Sequence, residues 1–288
     1  MGKSQSLPQL KAFAWLAAAF LSMAAFAAHP GPALAQSDVP KADLESEPDL
    51  AGLLAAVKGM TMAKPISGLS AGTADYAKYG ISIHVFDFEQ ARFTMRVAEQ
   101  KAATGSPVAD LLDRDDDVFV INGGFFERDG RDRLSPSGLL IIDGKVVAEE
   151  HQRAGSGVIY VEADGVAITR RKDFRDRARV RHALQVGPLL VDPGGVKGIY
   201  KNDLERHNRS AICLRGTSFT AFVVEGGISL FQFADLLSRP RDGGGFGCDI
   251  AINLDGGPST QAVLRAGKVR SEIAGGTTVE NAIVVSRK

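Results

Sequence analysis

The chain has 288 residues, 44% of them hydrophobic, and its 34 Lys plus Arg balance 34 Asp plus Glu. That balance leaves no electrostatic footprint for nucleic acid or an acidic polymer, and the hydrophobic content is that of a globular chain with a full core. Cys213 and Cys248 are the two cysteines, which excludes a disulfide framework as the basis of the fold.

The first 35 residues read as a secretory signal peptide. Lys3 and Lys11 form a basic start, Ala12–Ala28 is apolar and alanine-rich, and Ala33-Leu34-Ala35 fits the small-x-small cleavage rule before Gln36. The apolar run is shorter than the roughly 20 residues of a spanning helix, and His29-Pro30-Gly31-Pro32 ends it. The expected product is secreted or periplasmic and is not inserted in a membrane after cleavage.

Residues 36–75 read as a leader or linker with a short helix, because Leu50, Leu53, Leu54 and Val57 recur at helical spacing. A single domain is expected over 76–288, of α+β class, with hairpin-rich mixed or antiparallel sheets and a few packed helices. Ile81–Phe88 alternates and is followed by a second strand at Arg92–Val97. Pro107–Asp113 is a short helix candidate with proline in its first turn. Asp143-Gly144 and Asp164-Gly165 each join two apolar runs, which is a strong hairpin signal. Arg175, Arg177, Arg179 and Arg181 are spaced by two, so a strand would align them as a charged edge or an anion-binding row. Asp192-Pro193-Gly194-Gly195 is a turn, with Asp192 structural. Strands at Ser210–Leu214 and Phe219–Val224 flank a turn at Arg215–Ser218, a helix follows at Ser229–Ser238, and Asn281–Ser286 closes the domain. The two cysteines lie in strand-like segments and read either as one bridge or as two buried thiols.

The chemistry concentrates at strand-to-Gly-Gly junctions. Val120–Phe126 (Val-Ile-Asn-Gly-Gly-Phe-Phe) and Ile252–Gly257 (Ile-Asn-Leu-Asp-Gly-Gly) each run from an apolar strand into a polar side chain and paired glycines. Glycine pairs let backbone approach closely with no Cβ in the way. Two such junctions read as two walls of one site, and Val224-Glu225-Gly226-Gly227 makes a third. The arginine-rich loop 127–137 reads as a lid or as a solvated surface loop. Zinc-spaced His/Cys clusters, HExxH, a P-loop and a GxSxG elbow are absent from the sequence, so neither a metal nor a cofactor is expected.

Four stretches in order carry a resemblance: Asn122-Gly-Gly-Phe-Phe with Pro136-Ser-Gly-Leu-Leu, Gln185-Val-Gly-Pro-Leu-Leu, Arg209-Ser-Ala-Ile, and Ala251-Ile-Asn-Leu-Asp-Gly-Gly-Pro-Ser-Thr260. Together they resemble the phosphodiester glycosidase family of the uncovering-enzyme type, in a compact bacterial form. Glu225-Gly226 stands where the family often has Asp-Gly, and Pro258 where it commonly has glycine. The resemblance implies an exported hydrolase of a sugar-1-phosphate diester or related glycosidic linkage, with a carbohydrate or sugar-phosphate as its partner. It implies Asp255 and Glu225 in the carboxylate roles, in either order. Arg209 and the amides of Gly123, Gly124, Gly256 and Gly257 would hold phosphate or sugar hydroxyls, and Asn122 and Gln185 would orient the sugar. Phe125, Ser259 and Thr260, in the same motifs, would line the substrate. The alternative is a non-catalytic envelope protein that binds glycan through the same cleft; a glycosidase acting on uncharged linkages is the second.

Overall fold

A computed structural model describes residues 47–288, all within one compact unit. The signal-peptide stretch lies outside the described residues. Every strand pairing among them is antiparallel, and they hold two α-helices, α1 (Leu50–Gly59) and α2 (Leu230–Ser238). The α+β expectation thus holds mainly for its hairpins; the helical share is small.

Three sheets meet around one core. The largest has eight strands, ordered Ala63–Ile66, Leu69–Tyr76, Ile81–Glu89, Ser218–Ile228, His207–Arg215, Ile250–Asn253, Leu189–Asp192 and Val196–Lys197. A five-stranded sheet centres on Asp117–Asn122, between Ala262–Ala266 and Asn281–Arg287, and a second centres on His182–Val186. Phe86, Phe88, Phe219 and Ile252 of the large sheet interlock with Phe119, Ile121 and Ile283 of one partner and with Leu184 and Val186 of the other. Phe119 stands 4.7 Å from Phe86 and 5.4 Å from Phe88, ring centre to ring centre. The opposite face of the large sheet, with Ile83, Val85, Phe222 and Val224, is covered by Leu53 and Val57 of α1 and by Phe233, Leu236 and Leu237 of α2. Its central strands are buried on both faces and therefore read as near-continuous apolar runs.

The local signals account for these elements. Asp143 and Gly144 both take positive φ, at 49° and 76°, as a two-residue turn with the strands' own twist requires. Ser229 caps α2 and Gln232 reaches back to it, a reciprocal capping box. Cys213 and Cys248 form a disulfide with Cα atoms 5.7 Å apart, joining the large sheet to the segment after α2.

Several expectations change. The stretch 47–75 is no linker: α1 packs into the core, and Leu69–Tyr76 pairs with Ile81–Glu89 along its full length. Asp49 caps α1 and also accepts a hydrogen bond from the Tyr76 hydroxyl, which pins the entry of the domain. Arg92–Val97 does not pair with Ile81–Phe88; after Glu89 the chain crosses into a five-stranded sheet. The 107–113 helix shrinks to a 3-10 turn, Val108–Leu111, after which Asp113 is drawn to Arg96. Residues 175–181 form no strand, because their arginines reach different partners: Arg177 pairs with Glu150 and Arg179 with Asp164. The 127–137 loop neutralises itself through Arg128–Asp132 and Arg133–Asp129 pairs on a short hairpin.

Candidate active site

Polarity switches at one end of the shared core. Along the Ile81–Glu89 strand, the face that carries Phe88 and Phe86 continues as His84 and Ser82. On the neighbouring strand Phe219, Ala221 and Val223 give way to Glu225, and on the next Ile212 gives way to Ser210. In the facing five-stranded sheet Phe119 and Ile121 lead to Gly123, and Val285 and Ile283 lead to Asn281. Side chains alternate along a strand, so these polar residues share one rim. The registers set Thr73, His84, Val223 and Ser210 in a single row across the large sheet.

Asn122 joins the two sheets at that rim. Its Oδ1 accepts from Ser210 Oγ at 2.7 Å and from the Gln261 amide at 3.2 Å, and its Nδ2 donates to the Asp255 carbonyl at 2.7 Å. The Asp255 amide donates in turn to the Gly123 carbonyl at 3.0 Å. The first and second junctions are therefore one unit, but Asn122 is its fastener, buried and with its amide engaged on both ends. The paired glycines serve the same fastening. The amides of Gly123 and Gly124 donate to Asn281 O at 3.1 Å and Asn281 Oδ1 at 2.7 Å, and a Cβ on Gly123 would lie 2.0 Å from Asn281 Oδ1. The close approach the glycines allow is to Asn281.

Asp255 stands just past the Ile250–Asn253 strand. Its Oδ1 accepts from the Gly256 amide at 2.9 Å, and the Ser259 hydroxyl also bonds the carboxylate. Burial outweighs both and pushes its pKa above the ordinary carboxylate value. Gly257, at φ 57°, has open space where a side chain would stand. Thr260 Oγ1 is buried with no hydrogen-bond partner among the described residues. Arg209 lies beside Gly256; its Nε donates to Ile228 O at 3.1 Å and its Nη2 to Glu205 O at 3.0 Å. Burial lowers the Arg209 pKa, opposed by Asp203 and Glu205.

Glu225 reaches the rim from the other side, with Oε2 2.9 Å from His84 Nε2. Gln185 does not join it. Leu184 and Val186 face the core, so Gln185 faces away, and its amide bonds the backbone of Leu139, His151 and Gly155. Phe125 is half-buried, and its carbonyl accepts the Ser137 amide at 2.9 Å. His84, Ser210, Gln261 and Asn281 are site residues that motif reading missed.

Glu280 backs the rim. It is buried, accepts from Asn281 Nδ2 at 2.5 Å, and burial, with Glu99 beside it, raises its pKa from 4.5 to about 7. A raised acid favours folding while protonated; that contribution is full below about pH 4.5 and is lost as pH rises through about 7. The shift corresponds to about 3 kcal/mol. In urea titrations across this pH range, Glu280→Gln should lose most of the wild-type decline in stability; an unchanged decline would contradict the assignment.

The sequence profile of the phosphodiester glycosidase family matches residues 115–286, which include every junction described above. No curated protein matches the chain. Among solved structures, the catalytic domain of zebrafish N-acetylglucosamine-1-phosphodiester alpha-N-acetylglucosaminidase, auto-inhibited by its pro-peptide, is similar with a TM-score of 0.54 at 17% identity, over 80% of this chain and 82% of that one. A hypothetical protein from Synechocystis gives 0.53 at 15% identity, over 80% and 64% of the respective chains. A Burkholderia pseudomallei K96243 protein described as exported gives 0.50 at 12%, over 75% and 74%. At these identities the structural likenesses speak to the fold, and the profile match speaks to the family. The chain belongs to the phosphodiester glycosidase family.

Proposed function

We propose that the protein is an exported hydrolase that cleaves the bond between the anomeric carbon and the phosphate oxygen of a sugar-1-phosphate diester. The observation that supports this reading is two carboxyl groups in unlike surroundings, Glu225 on the Ser218–Ile228 strand and Asp255 just past the Ile250–Asn253 strand. Asp255 is desolvated and holds its proton to higher pH than an ordinary aspartate. Glu225 is half-exposed and accepts a hydrogen bond from a histidine. Unlike surroundings separate an acid from a base. Asp255 is then the donor to the leaving phosphate oxygen, and Glu225 activates the attacking water. The His207–Arg215 strand runs between the Ser218–Ile228 strand that carries Glu225 and the Ile250–Asn253 strand that leads to Asp255. Arg209, buried beside Gly256, supplies positive charge for the phosphate.

Export is supported by the leader pattern and by the Cys213–Cys248 bridge, since disulfides persist in oxidising compartments. No described helix is long and apolar enough to cross a membrane. Mass spectrometry of the native protein should find its N-terminus at Gln36 or within a few residues; an intact Met1 on a membrane-bound protein would contradict export.

The test of activity is a panel of sugar-1-phosphate diesters and p-nitrophenyl glycosides. The diesters should yield free sugar and a phosphomonoester. Asp255→Asn and Glu225→Gln, verified as folded by circular dichroism, should each lower kcat by about 10²–10⁴-fold. Activity should decline as pH rises through the elevated Asp255 pKa, because the donor loses its proton there. Near-normal turnover in folded Asp255→Asn sinks the assignment. Cleavage of the uncharged glycosides alone would move the substrate class, and glycan binding without cleavage would favour the envelope binding protein.

A further inference from the structure

His84 is a residue that no family motif above contains, yet it touches the carboxylate to which the reaction assigns the water. The two meet across the large sheet: His84 pairs in register with Val223, and Glu225 stands two residues further along the same strand and on the same face. The His84 side chain is 18% exposed and that of Glu225 45% exposed. Behind the imidazole, Nδ1 lies 3.0 Å from Thr73 Oγ1 on the next strand, and Nε2 lies 2.9 Å from Glu225 Oε2.

Both ring nitrogens are therefore engaged within the sheet, and in the neutral imidazole this selects one tautomer. A carboxylate only accepts hydrogen bonds, and a neutral imidazole carries a single N–H. Nε2 holds that proton toward Glu225, and Nδ1 accepts from the Thr73 hydroxyl. A surface glutamate ordinarily samples many rotamers; here one oxygen is held by the ring, and the other is left for a water or a substrate. The chain Thr73–His84–Glu225 crosses three adjacent strands in two neighbouring rows, so its geometry is set by sheet register. The row continues through Val223 to Ser210, which bonds the Asn122 that holds the Asp255 carbonyl. Other charged groups on the elements around it are Asp75, which accepts from Ser82 at 2.6 Å; Arg206, which donates to the carbonyls of Gly226 and Gly227; and Glu280 on the facing sheet.

We propose that His84 is the positioning residue of Glu225, holding its carboxylate for attack by water, with Thr73 fixing the histidine tautomer. This rests on the assignment of Glu225 to the water-activating role. During the reaction Glu225 takes one proton from water as the oxygen bonds to the anomeric carbon and the phosphate departs with the electron pair of the broken C–O bond. His84 keeps its own proton throughout. It orients, and it does not enter the proton balance.

The experiment compares the wild type with His84→Leu, His84→Gln, Thr73→Val and Glu225→Gln on a sugar-1-phosphate diester, recording kcat, KM and the pH profile of kcat/KM. Removing a partner that orients a reacting group costs about 10–100-fold. His84→Leu should lose that much in kcat with KM within about twofold, because the carboxylate is no longer held. His84→Gln restores an N–H and should recover part of the loss. Thr73→Val alters an exposed position and should show a smaller loss in the same direction. Wild-type kcat and profile in folded His84→Leu, alongside an inactive Glu225→Gln, would overturn the role of His84 and leave that of Glu225 standing. A fully active Glu225→Gln would instead overturn the assignment beneath it. Should His84→Leu fail to fold, wild-type kinetics in both His84→Gln and Thr73→Val would overturn the proposal.

Discussion

The site depends on one side-chain amide. Asn122 ends a core strand of one sheet, and its three hydrogen bonds reach the large sheet at Ser210, the following strand at Gln261, and the loop that carries Asp255. An asparagine suits this position because it both donates and accepts. Leucine would leave the Ser210 hydroxyl and the Gln261 amide without their partner in a buried setting, where an unmet polar group costs about 1–3 kcal/mol. Aspartate would set a negative charge against the Asp255 carbonyl. Asp255 is thus held through its own backbone, its carbonyl by Asn122 and its amide by Gly123.

That fastening also explains where the site sits. Three sheets share a core rich in phenylalanine, and each strand through it must change from apolar to polar where the core ends. At one end the change brings in His84, Glu225, Ser210 and Asn281 together. Burial differs between the two carboxyl groups: it raises the Asp255 pKa above the ordinary carboxylate value, whereas Glu225 lies at the solvent edge. One piece of architecture therefore sets two carboxyl groups in unlike surroundings. The glycine pairs at the junctions are part of the same construction, because a Cβ on Gly123 would collide with the Asn281 amide that positions the turn.

Much of this was legible in the sequence. The junctions, the hairpins at Asp143-Gly144 and Asp164-Gly165, the α2 helix and the place of Asp255 at a strand end all follow from local patterns with local causes. What local pattern could not supply was partnership. Asn122 and Gln185 looked like ligand-binding side chains because motif reading cannot see that the backbone of a distant loop already occupies them. The arginines of 175–181 fit a strand by spacing alone, but Arg177 and Arg179 find their partners on two other segments. The stretch 47–75 looked like a linker because its strands are short of large apolar residues; Leu69–Tyr76 is rich in Ala, Gly, Ser and Thr and gains its place by pairing with Ile81–Glu89. His84 escaped because a lone histidine in an apolar run has no motif, and its meaning comes from a glutamate 141 residues away.

The bond that breaks is the most direct test of the account. A sugar-1-phosphate diester hydrolysed in ¹⁸O-enriched water can take the label into the sugar or into the phosphate. Attack at the anomeric carbon, with Glu225 on the water and Asp255 on the leaving oxygen, leaves the phosphomonoester unlabelled, and its ³¹P resonance should show no isotope shift. Label in the phosphomonoester would mean attack at phosphorus and would contradict the proposed reaction.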